Sequence, residues 1–441
     1  MPVCVSENPR RHGRLKAEFG DTIHMGCPTS DVLINEGMML EGFRAAATEE
    51  QPRQGGAAQS AARPTTQAEF GAWTAIPASG LEPWNSTLRQ TAARLYQYPF
   101  WNESLKALGF KTEYLVYERD GAALGYVALM VVGLGALRFG LVSDGPVNLR
   151  DDQPLSTESL ATLRVWARHH GFAFLRFSHM DNRVLEAMEK AMGRTERLDS
   201  FPLYPPLEEE LIVTLDGDEN SILARFQKVA RQEIRRAAEG GYEIRLATVA
   251  EAEASVRSLF EGLKQRKGEA VYHRPLASYL QLVRQAERHG CALLYIATRK
   301  EKPVQFTVVL RTRDMATYVL GAIDVGALEG ETSPGCLVHW RAMRDALAMG
   351  VKEYNLGTYG WGGLRVFKGK FRPEHRVPPA PVTVVLRPVL WGPWKRMLPL
   401  ISRHGNTIRD VAGWLLKALD RVRPGRSRTT RSEAKGNAQC S

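Results

Sequence analysis

Apolar runs alternate with short charged or glycine-bearing breaks, and the alternation occurs twice in one order. The first copy runs through residues 114–132, 137–147 and 158–178, the second through 293–311, 315–326 and 335–357. Each reads as strand, charged turn, strand, turn, strand, helix, glycine, strand. Gly125 matches Val304, Phe139 matches Tyr318, and Gly171 matches Gly350, an offset of 179 in every case. A fixed offset over several elements predicts duplication, and a period this long predicts two similar α/β subdomains rather than a solenoid.

In the second copy Leu337, Trp340, Met343 and Leu347 share one helix face, and Gly350 stands where a helix ends. The strand after it, Val351 to Leu356, leads into the glycine-rich stretch 357–371. Ligands of open α/β sheets sit beyond the carboxyl ends of strands, so 357–371 is the first candidate site. Between the copies, Asn220 to Gly241 predicts a single helix capped by Asn220 and stopped by Gly240 and Gly241. It carries a basic stripe (Arg225, Lys228, Arg231, Arg235) and an apolar one (Ile222, Phe226, Val229, Ile234). The most apolar run, Ala122 to Leu137, has 16 residues and three glycines. It is short for a membrane span and predicts two buried strands around a glycine turn.

These patterns divide the chain into a poorly structured extension over 1–70, a first subdomain over 71–215, a second over 216–385 and a basic amphipathic tail over 386–441. Gln51 to Gln67 lacks periodic apolar spacing, so ordered sequence is expected from near Ala72. The 441 residues are 44% apolar and 24% charged, which fits a globular protein with a real core. The net charge of +11 is unevenly placed. From Arg387 onward 12 Lys and Arg stand against 3 Asp and Glu, which leaves +2 on the 386 residues before it. Five scattered cysteines without a CxxC pair argue against a zinc site or disulfide scaffold and suit a reducing cytoplasm. His24 with Cys27 and Cys336 with His339 sit three apart, read as chance spacing. The first twenty residues have no apolar core and do not form a signal peptide.

A set of short motifs follows one order along the body. Gln97 to Trp101 is followed by Gly145-Pro146, the Arg231 to Gly241 helix with its two glycines, Lys264 to Tyr279, and the Tyr318 strand. Ser333-Pro334, Tyr354-Asn355-Leu356-Gly357 and Phe367-Lys368 with Phe371 complete it. In order and with the repeat, these resemble the Fem family of peptidoglycan-bridge aminoacyltransferases, of the compact FemX type. That family has a pair of GNAT-like acyltransferase subdomains, α/β with mixed sheets flanked by helices. The resemblance implies transfer of an amino acid from aminoacyl-tRNA to the stem-peptide amine of a lipid-linked or UDP-linked peptidoglycan precursor, without a cofactor or a metal. This chain departs from the family at Phe371-Arg372-Pro373, where Phe-Gly is usual, and in lacking a coiled-coil arm between the subdomains.

No Ser-His-Asp or Cys-His arrangement is recognisable, and none is needed when an amine attacks an activated ester. The resemblance makes Lys368 the charge that meets the oxyanion or the tRNA end, and the Phe367 carbonyl an acceptor for the amine hydrogen. The plain alternative for Lys368 is a solvated cation. Arg274 and Tyr279 are placed to clamp an acidic acceptor or simply lead into a helix. Tyr318 faces the cleft or packs in its strand, and Tyr359 lies in the same candidate stretch. Arg235 and its stripe meet tRNA phosphates or line a solvated face. A phosphate loop for CoA has no match in the right context, since Arg168 to Ala173 runs from helix to strand and Gln265 to Ala270 follows a helix-like stretch. The second reading is an N-acyltransferase using acyl-CoA or acyl carrier protein on an amino sugar, lipid or exopolysaccharide. In the tail, Trp391, Trp394 and Trp414 beside cations suit an anionic membrane surface, or the tail helix folds onto the body. The localisation expected is cytoplasmic, and peripheral at the inner face of the membrane if the tail binds lipid.

Overall fold

The computed structural model describes residues 71–106, 110–134, 137–198, 209–267, 276–328, 332–358, 363–396 and 398. The first half opens with β1 (Ala72–Ala75) and the short helices α1 (Glu82–Leu88) and α2 (Pro99–Leu105). β2 (Lys111–Arg119), β3 (Ala122–Leu134), β4 (Leu137–Ser143) and β5 (Val147–Asn148) follow. Then come α3 (Thr157–His169), β6 (Phe174–Ser178), α4 (Asn182–Ala191) and β7 (Thr195–Arg197). The second half holds β8 (Glu210–Thr214), α5 (Glu219–Arg225), α6 (Lys228–Glu239), β9 (Glu243–Leu246), α7 (Val249–Lys267) and α8 (Leu276–Arg288). It continues with β10 (Ala292–Arg299), β11 (Lys302–Arg311), β12 (Met315–Ile323), α9 (Gly335–Ala348) and β13 (Glu353–Asn355). It closes with α10 (Gly363–Gly369), β14 (Glu374–Arg376) and β15 (Val382–Val385), after which residues 388–396 are helical.

Two mixed sheets result, ordered β1-β2-β3-β4-β6-β15-β7 and β14-β8-β13-β12-β11-β10-β9. The duplication is visible element by element, but the strand after β7 and the strand after β14 each cross to the other sheet. β8 lies between β13 and β14, and β15 lies between β6 and β7. The expected boundaries at 215/216 and 385/386 therefore do not divide the sheets. A strand completes its ladder with whichever neighbour offers one, and here that neighbour belongs to the other copy.

The constant offset of 179 also needs correction. It holds from α3 and α9 onward, where Gly171 (φ 81) and Gly350 (φ 76) end the helices. In the hairpins Gly125 faces Tyr117 and Gln305 faces Ala297, so Gly125 is matched by Gln305 rather than Val304. Phe139 pairs with Phe174 and Met315 with Glu353, so Phe139 is matched by Met315 rather than Tyr318. A longer β3–β4 hairpin in the first copy absorbs the difference. The two-residue turns Asp120-Gly121 and Lys300-Glu301 are left-handed at both positions, the geometry that fits the strand twist. The run Ala122 to Leu137 is one long strand, β3, followed by the first residue of β4, because the reversal comes at 120–121 and beyond Leu134.

Period-2 alternation splits each strand between two cores. In β3, Val127 and Leu129 face α3 and α4 with Leu160, Leu163 and Met188. Tyr126, Ala128 and Met130 face a core shared with α7, α8 and the second sheet, including Phe260, Leu280, Leu294 and Phe306. A third core sits between the second sheet and α5, α6 and α9. The shared core also takes Trp391, Trp394 and Leu398. Trp391 lies 4.8 Å from Phe174, and Trp394 lies 5.8 Å from Phe139. Of the two readings of the tail, these tryptophans follow the one in which the helix folds onto the body, because they cover an apolar sheet face. Trp414, and every residue of the tail past Leu398, lies outside the described residues, as does the extension 1–70. No helix among the described residues is long and apolar enough to cross a membrane.

Candidate active site

The parallel strands β12 and β13 pair over only three positions, from Met315 opposite Glu353 to Thr317 opposite Asn355. Past Asn355 the chain keeps only its ladder with β8, where Leu356 N–H donates to Leu211 O and Leu211 N–H to Gly357 O. β12 continues to Ile323 paired with β11 alone, with a bulge that leaves Val319 unmatched between Tyr318 and Leu320. In the first half the corresponding pair β4–β6 stays joined from Phe139 to Ser143. The opening between parallel strands therefore belongs to the second half. A bulge there re-aims the side chains beside it.

α10 delivers Lys368 into this opening. The side chain is buried, with the residue 4% exposed, so the solvated-cation reading of Lys368 does not hold. Its Nζ donates to Thr358 O at 2.6 Å and stands 5.9 Å from the Tyr318 ring centre. A Cβ on Gly357 would lie 3.7 Å from that Nζ and 3.8 Å from Tyr318 O, so the turn, the lysine and the tyrosine converge. Gly357 has φ 73, where an L side chain is strained.

His339, on α9, forms the floor. Its Nδ1 lies 2.9 Å from Tyr354 Oη, and its ring packs against Tyr318, Phe367 and Phe371. Burial, reinforced by the Lys368 charge, pushes its pKa down to about 3, so the imidazole is neutral at working pH. Burial, with Tyr279 adding to it, raises the Tyr318 phenol to about 12, so it remains an O–H donor. Tyr279 is buried on α8 and packs on Phe260.

The far end of α10 is pinned by a feature the sequence pattern missed. The expected Asn220 to Gly241 helix is two helices, capped by Asp218, with Phe226 and Gln227 extended between them. Freed from the helix, Gln227 N–H donates to Lys370 O at 2.9 Å and its Nε2 to Gly369 O at 3.0 Å. Lys370 pairs with Glu233 at 2.6 Å, which also accepts from Cys336 Sγ at 3.1 Å. Burial and Glu233 raise the Cys336 thiol, so it is not poised as a nucleophile. The Phe367 carbonyl accepts from Lys370 N–H at 3.2 Å and keeps a second lone pair.

Of the expected site residues, Lys368, Phe367, Tyr318 and Tyr279 come together. Arg235 does not: it is exposed on α6 and lies 3.8 Å from Glu239. Its stripe is partly occupied, since Arg225 bonds Asp216 and Thr214 O and Arg231 bonds Phe226 O. Val229 is exposed and Ala230 takes its place in the core, because the break resets the helical phase. Arg274 and Tyr359 lie outside the described residues. The described residues contain no group of three or more His, Cys, Asp or Glu able to hold a metal, and Cys336 and His339 bond elsewhere.

A second polar group joins the halves. Arg94 Nε lies 3.3 Å from Asp144, and its Nη2 lies 2.5 Å from Glu210 on β8. Burial opposes the Arg94 charge, and the two carboxylates more than offset that. Burial raises Glu210, while Arg94 and a hydrogen bond from Asn355 pull the other way. Asp144 adjoins Gly145-Pro146, which the sequence motif marked; nothing local marks Arg94 or Glu210.

A buried cation in a gap between parallel strands can stabilise negative charge on a carbonyl oxygen, which is acyl-transfer chemistry. Residues 224–368 match the acetyltransferase (GNAT) domain family. That span runs from the end of α5 through Lys368, and with the duplicated sheets it marks the fold as two GNAT-like halves in tandem. The whole described body is similar to the solved structure of FemX, with a TM-score of 0.61 at 14% identity, covering 73% of this chain and 98% of that one. It is also similar to a conserved protein of unknown function from Bacteroides thetaiotaomicron VPI-5482, at TM-score 0.50 and 13% identity, covering 71% and 99%. No curated protein matches the sequence. The fold is thus that of a Fem-like tandem GNAT protein.

Proposed function

We propose that the chain moves an amino acid from aminoacyl-tRNA to the stem-peptide amine of a peptidoglycan precursor, lipid-linked or UDP-linked. The observation that carries the proposal is the buried Lys368 ammonium at the mouth of the β12–β13 opening, held on Thr358 O and over the Tyr318 ring. The acceptor amine attacks the ester carbonyl, and the carbonyl electron pair moves to oxygen. Lys368 meets that oxyanion, in a site where a fixed charge is worth far more than in water. The amide forms as the ribose oxygen leaves and takes a proton, and the attacking nitrogen sheds its own. The Phe367 carbonyl orients the amine through its free lone pair. In this proposal Arg274 and Tyr279 bind the acidic acceptor, and Tyr359 joins them in substrate binding. No cofactor enters this reaction. It belongs in the cytoplasm with charged tRNA, and the basic tail draws the enzyme toward anionic lipid at about 1 kcal/mol per cation.

The acetyltransferase character of the 224–368 match favours a second reading, in which acyl-CoA or acyl carrier protein is the donor. The two are separated by mass spectrometry of the purified protein with mixed charged tRNAs and UDP-linked, then lipid-linked, muramyl pentapeptide. A gain of one amino-acid residue is expected, and Lys368→Met should slow it about 100-fold or more. Consumption of an acyl thioester with no such gain would assign the second reading.

A further inference from the structure

Behind Lys368 runs a buried polar chain that the acyl-transfer steps do not use. Asn355 ends β13 and is 3% exposed. Its Oδ1 accepts Gly357 N–H at 2.7 Å, and its Nδ2 lies 3.6 Å from Met315 Sδ. Arg94 Nη2, from the first half, lies 3.5 Å from the same sulfur and 2.5 Å from Glu210 Oε2. The residue after Gly357 is Thr358, whose carbonyl holds the Lys368 ammonium at 2.6 Å.

A glycine at positive φ leaves its turn free to adopt other conformations, so a specific bond must select one. The Asn355 Oδ1 bond to Gly357 N–H does this from a side chain that is itself fixed by burial. Fully partnered buried networks rigidify what they touch. We infer that Asn355 is a positioning residue, which sets the Gly357–Thr358 turn, thereby places the Lys368 ammonium, and ties that placement to the Arg94–Glu210 pair joining the two halves. The catalytic sense of this rests on Lys368 meeting the oxyanion as proposed above; the placement itself does not. A misplacement near 1 Å costs about 100-fold in such a site.

The test reads the amine directly. Full-length protein is treated with an amine acetylating reagent, and labelling at Lys368 and Lys370 is followed by mass spectrometry. Three variants are compared: Asn355→Ala, Asn355→Asp, and Asn355→Asp with Glu210→Gln. Asp at 355 keeps an acceptor for Gly357 N–H but sets a second carboxylate against Glu210. The double variant exchanges donor and acceptor and keeps the net charge. Lys368 labelling is expected to rise about tenfold in both single variants, as local opening exposes it. Lys370, held by Glu233, should stay unchanged, and the double variant should return Lys368 toward wild type. The transfer kcat should follow the same order at constant acceptor KM. The inference is overturned if Lys368 labelling stays at the wild-type level in the single variants, if both lysines rise together, or if the double variant restores nothing. If wild type transfers no amino acid at all, the substrate reading fails while the labelling still decides the placement. Should Asn355→Ala not fold, Asn355→Leu, of similar size and without an acceptor for Gly357 N–H, takes its place.

Discussion

His339 lies against the ring of Phe367, one residue from the Lys368 ammonium, and packs edge-on to Tyr318, so its protonation state shapes the charge of the site. Its pKa is pushed from 6.5 to about 3. Above pH 6.5 it is neutral folded and unfolded and contributes no pH dependence. As pH falls from 6.5 toward 3, the unfolded chain binds a proton that the folded chain refuses, so unfolding gains ground at about 1.4 kcal/mol per pH unit. Urea titrations at pH 7, 6, 5 and 4 should show wild type losing stability relative to His339→Gln along that slope; parallel curves would mean the imidazole is not held neutral. Lys368 and Tyr318 were legible as residues because short motifs point to them. His339 was not, because only its three-residue spacing from Cys336 drew notice. The signal was available in α9, whose buried arc spans Val338, Trp340, Ala342, Met343 and Ala346 and is wider than one stripe. A histidine inside such an arc has to be buried.

At the scale of elements, local sequence forecasts the hairpins and helices well and their interruptions poorly. The charged turns at 120–121 and 300–301 and the glycine helix ends stand where the pattern put them. The break at Phe226–Gln227 does not announce itself, because it is stabilised by bonds to Gly369 and Lys370 far along the chain. Tertiary contact outweighs helix propensity there. The Gln97 and Gly145-Pro146 motifs turn out to be one device. Gln97 donates to Ser143 O at 2.6 Å and accepts from Ala128 N–H at 2.8 Å. A Cβ on Gly145 would fall 2.5 Å from the Gln97 amide carbon. Gly145→Ala should therefore cost about 1–3 kcal/mol by overpacking. Gln97→Ala costs a similar amount through its lost bonds. Because the two touch, the double variant should be less destabilised than the sum by about 1 kcal/mol in chemical denaturation. Strict additivity would deny the contact.

At the scale of the molecule, the exchange of β8 and β15 makes each sheet depend on the other half of the chain. A chain ending at residue 381 lacks β15, which lies between β6 and β7, and also lacks Trp391 and Trp394. Such a chain should lose the first sheet, although every other strand of that sheet lies more than 180 residues upstream. One ending at Leu398 should keep it. Near-UV circular dichroism, with hydrogen exchange at Phe174–Ser178, distinguishes the two. Protection in the 381 chain equal to that of the longer one would mean β15 is dispensable.

By itself the sequence determined the duplication, the α/β class, the order of elements and the neighbourhood of Lys368, because hydrophobic periodicity and turn chemistry are local properties. The tertiary structure alone decided which sheet receives β8 and β15, where β12 and β13 part, and that Trp391 and Trp394 serve the core. It also decided that Arg94, Glu210 and Asn355 meet behind the site. Those outcomes rest on backbone pairing and burial between residues far apart in the chain, and no local pattern encodes which distant partner completes a ladder or accepts a buried charge.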